Sequence, residues 1–141
     1  MTQQRSPQEV LAEVQLFSGL SNRQLGRLTK MAREVTHDPG KAIADEGHGA
    51  AAFHVVLDGA ADVLVHGEHR RRIGPWDYFG EISLIDGLPR SATVQVSGDA
   101  PMRTLAIFRT DFNQLLEDDP TFAHTLLVTL CTRLRAVEAG S

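Results

Sequence analysis

Cysteine is almost absent from this chain of 141 residues: Cys131 stands alone. A single thiol excludes an intrachain disulfide and fits a reducing compartment. No apolar run is long enough to span a bilayer. Met1-Thr2-Gln3-Gln4-Arg5 leads into no apolar signal segment, so the expected compartment is the cytoplasm. Positive charge is scarce too. Fourteen Lys and Arg face 18 Asp and Glu, a net charge of −4. That balance opposes non-specific attraction to nucleic acid or to an anionic membrane surface. Linkers, internal repeats and low-complexity segments are missing as well.

What is present suits one globular domain. Apolar residues make up 42% and charged residues 23%, and a chain of this length can bury a core without staples. The pattern divides it into a helical stretch over 6–34, strands over 35–108 and helices over 110–138. Ser6-Pro7-Gln8-Glu9 has a capping serine, a proline suited to the first helical position and a glutamate that can close a capping box. Val10, Val14 and Phe17 then share a helical face as far as Gly19. Ser21-Asn22-Arg23-Gln24 is a second start, with Leu25, Leu28, Met31 and Ala32 on its buried side.

From Val35 to Phe108 the apolar runs are short. Asp38-Pro39-Gly40, Glu46-Gly47, Asp58-Gly59, His66-Gly67 and Ser97-Gly98-Asp99 punctuate them. The segments between, 41–44, 53–57, 61–65, 70–73, 92–96 and 103–108, read as strands. Ala61, Val63 and Val65 alternate with Asp62 and Leu64, and Ala92, Val94 and Val96 with Thr93 and Gln95. The fold class expected is α+β: a small antiparallel, jelly-roll-like barrel with helices at both ends. Helical spacing resumes at Thr110, with Phe112, Leu115 and Leu116. Asp119-Pro120 opens the last helix, whose stripe Phe122, Leu126, Leu130, Leu134 and Val137 is expected in the core, with a surplus face left for a partner helix.

One stretch inside the strands is not a plain turn: Phe79-Gly80-Glu81-Ile82-Ser83-Leu84-Ile85-Asp86-Gly87-Leu88-Pro89-Arg90-Ser91-Ala92-Thr93-Val94. Ile82 to Asp86 has about one helical turn. The first turn of a helix offers unpaired N–H groups and a favourable dipole to an anion. Gly80 permits close backbone approach. Arg90 adds a fixed charge with a planar fork of donors, and Ser91 a hydroxyl. Glu81 would repel a phosphate unless it serves another group, such as a sugar hydroxyl, as carboxylates do for ribose in dinucleotide folds. The residues therefore call for a phosphate joined to a hydroxyl-bearing sugar.

This stretch resembles the phosphate-binding cassette of the cyclic-nucleotide-binding domain family, with its F-G-E-[LI]-x-L and P-R-[AST]-A-[ST]-V halves. The match is gapless at Phe79, Gly80, Glu81, Ile82, Leu84, Pro89, Arg90, Ser91, Ala92, Thr93 and Val94. Pro39-Gly40, Ile43, Glu46-Gly47 and Leu57-Asp58-Gly59 look like the family's barrel turns. The resemblance implies that Glu81 accepts the ribose 2′-hydroxyl and Arg90 pairs with the cyclic phosphate. It places Gly80, Ile82, Ser83, Ser91 and Ala92 around the phosphate, Val63 against sugar and base, and Arg133 and Leu134 over the base. It implies a regulatory sensor rather than an enzyme, cAMP favoured over cGMP as ligand, and ligand-linked movement of the C-terminal helices. The chain departs from the pattern at His48-Gly49-Ala50-Ala51, where an acidic residue is frequent. No effector segment is recognised, so an effector protein, an effector domain elsewhere or a homodimer is the expected partner.

Plainer readings stand beside these. Glu81 and Arg90 can be a structural ion pair in an interaction or scaffold domain with a vestigial pocket. Histidines 37, 48, 54, 66, 69 and 124 form no His-x-His pair, so no metal is expected. Arg70-Arg71-Arg72 reads as a solvated strand edge rather than a nucleic-acid patch. Cys131 reads as a small core or interface residue, and Trp76 as packing at a barrel corner.

Overall fold

A computed structural model describes residues 5–44, 52–86 and 92–140. Two compact units divide the chain. One holds the segments up to Met31 and from Asp111 onward; the other spans Ala32–Thr110.

The helical unit contains α1 (Pro7–Ala12), α2 (Asn22–Met31) and α5 (Pro120–Ala139), with most of α4 (Arg109–Asp118). Its helix starts are those written in the sequence. Ser6 Oγ accepts from the Glu9 N–H. At α2 the capping box closes both ways: Ser21 Oγ accepts from the Gln24 N–H at 3.2 Å, and Gln24 Oε1 from the Ser21 N–H at 2.8 Å. The first helix is shorter than its periodicity suggests. Val14 is extended, and a 3₁₀ turn, Gln15–Phe17, follows. A β-branched residue is a weak point for continuing a helix. Val10, Val14 and Phe17 are nevertheless all buried, because a helix followed by a 3₁₀ turn can point the same three side chains inward.

The strand unit is antiparallel throughout. It comprises β1 (Arg33–His37), β2 (Ala42–Ala44), β3 (Ala52–Asp58), β4 (Ala61–Val65), β5 (Glu68–Ile73), β6 (Tyr78–Phe79), α3 (Glu81–Asp86), β7 (Thr93–Val96) and β8 (Met102–Phe108). They form two four-stranded sheets, β1-β8-β3-β6 and β2-β7-β4-β5. The jelly-roll-like class stands as expected, but the sheets face one another as a sandwich and do not close into a barrel. The core lies between them: Val56 and Met102 from the first sheet meet Ala61, Val63, Ile73, Val94 and Val96 from the second. The register explains the alternation, since Ala61 pairs with Val96 and Val63 with Val94, all four facing inward.

Turn chemistry fixes the hairpins. His66 and Gly67 both have positive φ, 52° and 77°, as a two-residue type I′ turn between β4 and β5 requires. Two strands escape the sequence reading. β1 is a polar edge strand, mostly exposed, and β6 has only two residues, too few to alternate. Arg70, Arg71 and Arg72 lie exposed on β5, an edge strand, as expected. Trp76 stands in the turn between β5 and β6 at φ 75° and is 40% exposed.

The last helix also departs. Phe122 and Leu126 are buried and Leu130 is half-buried, but Leu134 and Val137 are 58% and 70% exposed. Cys131 is exposed as well and so is not a core residue. Periodicity identifies an apolar face; it does not show how far along the helix that face is covered.

Candidate functional site

The candidate cassette starts where β6 ends. Phe79 pairs with His54 across to β3. Gly80 follows at φ 92°, a backbone conformation that side chains disfavour. Its carbonyl accepts the N–H of Leu84 at 2.9 Å, the first bond of α3. Glu81 is thus the first residue of α3, half-buried. Ser83 is half-buried on the same turn, and Leu84 is fully buried, anchoring it. The helix begins one residue earlier than Ile82, the start that the spacing suggests. It packs on β3, so α3 is held against the sheet that also carries Phe79.

Three expected residues converge from separate segments. Val63 belongs to the core cluster between the sheets, and Phe79 and Ala92 pack against that same cluster together with Ile43. An apolar wall therefore joins the start of the cassette (Phe79-Gly80-Glu81) to the segment that re-enters β7. Arg90 and Ser91 lie outside the described residues, as do Glu46-Gly47, His48 and Pro89. Arg133, half-buried, and Leu134, exposed, lie on α5 in the helical unit.

Sequence reasoning missed a polar row beside this wall. His37, Thr104 and His54 are buried among apolar neighbours and joined by hydrogen bonds. Their turn-bounded, weakly alternating surroundings gave no periodic signal. Among the described residues no three His, Cys, Asp or Glu side chains cluster as metal ligands would. No described helix is long and apolar enough to cross a membrane.

A family model for the cyclic nucleotide-binding domain matches residues 34–119. The chain belongs to that family. The matched span takes in β2 to β8, all of β1 but Arg33, and the cassette. Among curated proteins the chain is similar to the cAMP-dependent protein kinase regulatory subunit of Yarrowia lipolytica (strain CLIB 122 / E 150). It is 33% identical over 121 residues, covering 79% of this chain and 32% of that protein. It is also similar to the cGMP-dependent protein kinase of Toxoplasma gondii, 28% identical over 115 residues, covering 82% of this chain and 11% of that one. The chain thus spans a third or less of these relatives. Among solved structures it resembles the N-terminal domain of a transcriptional regulator from Streptomyces coelicolor A3(2). There the TM-score is 0.79 at 28% identity, with 93% and 94% of the two chains covered. Within the matched span, Glu81 and Ser83 lie on α3 directly after Gly80, and Phe79 and Ala92 pack against the core cluster that holds Val63.

Proposed function

We propose that this chain is a non-catalytic sensor that binds cAMP in preference to cGMP. One observation carries the reading: Glu81 opens α3 directly after the left-handed Gly80, beside the apolar wall of Val63, Phe79 and Ala92, in a chain of the cyclic nucleotide-binding family. Glu81 would accept the ribose 2′-hydroxyl. Arg90 would pair with the cyclic phosphate through its planar fork. Gly80, Ile82, Ser83, Ser91 and Ala92 would complete the cradle, partly through backbone N–H groups. Val63 would meet sugar and base, and Arg133 and Leu134 the base in the bound state.

The preference for cAMP is supported by the higher identity to the cAMP-dependent regulatory subunit, 33%, than to the cGMP-dependent kinase, 28%. Signalling follows if the C-terminal helices have two arrangements of different ligand affinity, since a ligand shifts such an equilibrium only by that difference. An effector protein, an effector domain or a second copy would read the shift, in the cytoplasm and without a metal.

Calorimetric titration with cAMP and with cGMP tests the reading. Micromolar or tighter binding of cAMP, with weaker cGMP, is the expected result. Tighter cGMP reverses the base preference. No heat and no thermal shift with either nucleotide overturns the sensor reading in favour of an interaction domain with a vestigial pocket.

A further inference from the structure

The three consecutive arginines of β5 are not alike. Arg70 lies 3.8 Å from Glu68 and stands where the pairing of β4 with β5 slips, between Val63 and Leu64. Arg72 is opposite Asp62, donates to Ser97 Oγ at 3.2 Å and lies 3.9 Å from Asp99. Arg71, between them, makes no side-chain hydrogen bond or ion pair among the described residues. It is exposed, and its cross-strand partner is Val63.

That pairing sets its face. Residues directly opposite in an antiparallel ladder share one side of the sheet, with Cβ atoms about 5 Å apart. Val63 is buried in the core between the sheets, and so is Ile73, two residues along β5 from Arg71. The row continues across the sheet, since Val94 pairs with Val63 and Ala44 with Val94. An inner row of Ala44, Val94 and Val63 therefore ends, at the edge strand, in a guanidinium. Phe79 and Ala92 pack against the cluster that holds Val63 and Val94. An arginine at the end of such a row lengthens the apolar wall with its stem and keeps its head in water.

The function proposed above gives Val63 to sugar and base, so the neighbouring position on the same face belongs to the base side of the site. A guanidinium carries donors and no acceptor. On one edge of guanine, O6 and N7 are both acceptors and take a bidentate arginine. The same edge of adenine sets N7 beside an amino donor, which an arginine cannot satisfy. An uncommitted donor fork here adds to the binding of guanine and adds nothing comparable to that of adenine.

We propose that Arg71 is a base-reading residue: its donors engage O6 and N7 of guanine, so that the site takes cGMP as a second ligand and Arg71 sets how far cGMP falls behind cAMP. This inference rests on the sensor reading. Calorimetry with cAMP and cGMP on wild type, Arg71→Met and Arg70→Met tests it. Methionine keeps an apolar stem and removes the donors. Arg70→Met removes an equal charge from the same strand. A bidentate arginine–guanine pair discriminates by roughly 5- to 150-fold, and the exposed setting of Arg71 puts the expected loss of cGMP affinity in Arg71→Met at about tenfold. Its cAMP affinity should stay within about twofold of wild type, and Arg70→Met should leave both affinities unchanged. A 7-deaza analogue of cGMP, which lacks the N7 acceptor, should bind wild type several-fold more weakly than cGMP, whereas Arg71→Met should not tell the two apart. Equal losses of cAMP and cGMP in Arg71→Met overturn the proposal alone, as does full cGMP affinity in that variant. So does a wild type that binds cAMP but no cGMP. A wild type that binds neither nucleotide overturns the sensor reading and this proposal with it.

Discussion

Asp119 holds two partners at once: its carboxylate accepts the Phe122 N–H at 3.1 Å and meets Arg27 Nη1 at 2.6 Å. The first contact caps α5; the second ties α5 to α2 within the helical unit. Asp119→Ala should lose about 1 kcal/mol for the cap and roughly 0.5 kcal/mol for a half-exposed ion pair. Asp119→Asn keeps an acceptor for the Phe122 N–H and should lose only the smaller part. Urea denaturation of both variants and of Arg27→Ala checks this. Equal losses in Asp119→Ala and Asp119→Asn would show that the pair, not the cap, matters.

Gly59 and Gly40 should respond differently to the same change. Both have positive φ, 88° and 78°. A Cβ on Gly59 would stand 2.7 Å from the Pro101 carbonyl oxygen and 2.9 Å from Met102 Cα, whereas one on Gly40 meets nothing within 4 Å. Gly40→Ala should cost only the left-handed backbone penalty, about 1 kcal/mol. Gly59→Ala should add the displacement of β8 and cost roughly 2–4 kcal/mol in all. Thermal melts of the two variants compare them directly, and similar melting temperatures would refute the packing argument.

These elements show what was legible in advance. Asp119-Pro120, Ser21-Asn22-Arg23-Gln24 and Asp58-Gly59 use local chemistry that does not depend on the rest of the fold, so their residue types announce them. The inward alternation of Ala61 and Val63 was likewise visible, because one face of the sheet is buried throughout. β1 was hidden because an edge strand can be polar on both faces, and β6 because two residues carry no period. A surplus apolar face on α5 was foreseeable from its length, but that Leu134 and Val137 are the exposed part was not, since an apolar stripe looks the same covered or bare. At the site, Glu81 and Gly80 were legible from their cassette, whereas the His37–Thr104–His54 row joins three distant segments and only the sheet register assembles it.

Acid should destabilise the protein in a way that depends on Lys41. The His37 imidazole is held below its ordinary 6.5, first by burial and then by the Lys41 charge. A depressed histidine favours the neutral form in the fold, so the unfolded chain binds more protons below that value. The stabilisation is complete above pH 6.5 and is lost as pH falls through the folded-state value. Lys41→Met should raise the proton affinity of folded His37 and shrink the acid loss. Melting curves from pH 5 to 8 test this; an unchanged pH slope in Lys41→Met would show that burial alone sets the depression.

Glu81 is where stability and binding should part company. It sits in the first turn of α3, half-buried, with the helix anchored by Leu84 rather than by Glu81 itself. Removing an acidic group from a first turn costs about 0.3–1 kcal/mol through the helix dipole, so Glu81→Ala should fold and melt only slightly below wild type. Its effect on the ligand should be larger. A charged acceptor to a sugar hydroxyl is worth about 1.5–3 kcal/mol, roughly 10- to 100-fold in affinity. Glu81→Gln retains an acceptor without the charge and should fall between Ala and wild type. Glu68→Gln, on the exposed edge strand β5, serves as the control that leaves affinity unchanged. A 2′-deoxy analogue of the nucleotide supplies the complementary deletion. Against wild type it should lose about as much as Glu81→Ala loses with the natural ligand, and against Glu81→Ala it should lose little more, because the two deletions remove the same hydrogen bond. Additive losses would place the carboxylate elsewhere than on the ribose, and full affinity in Glu81→Ala would take it out of the site.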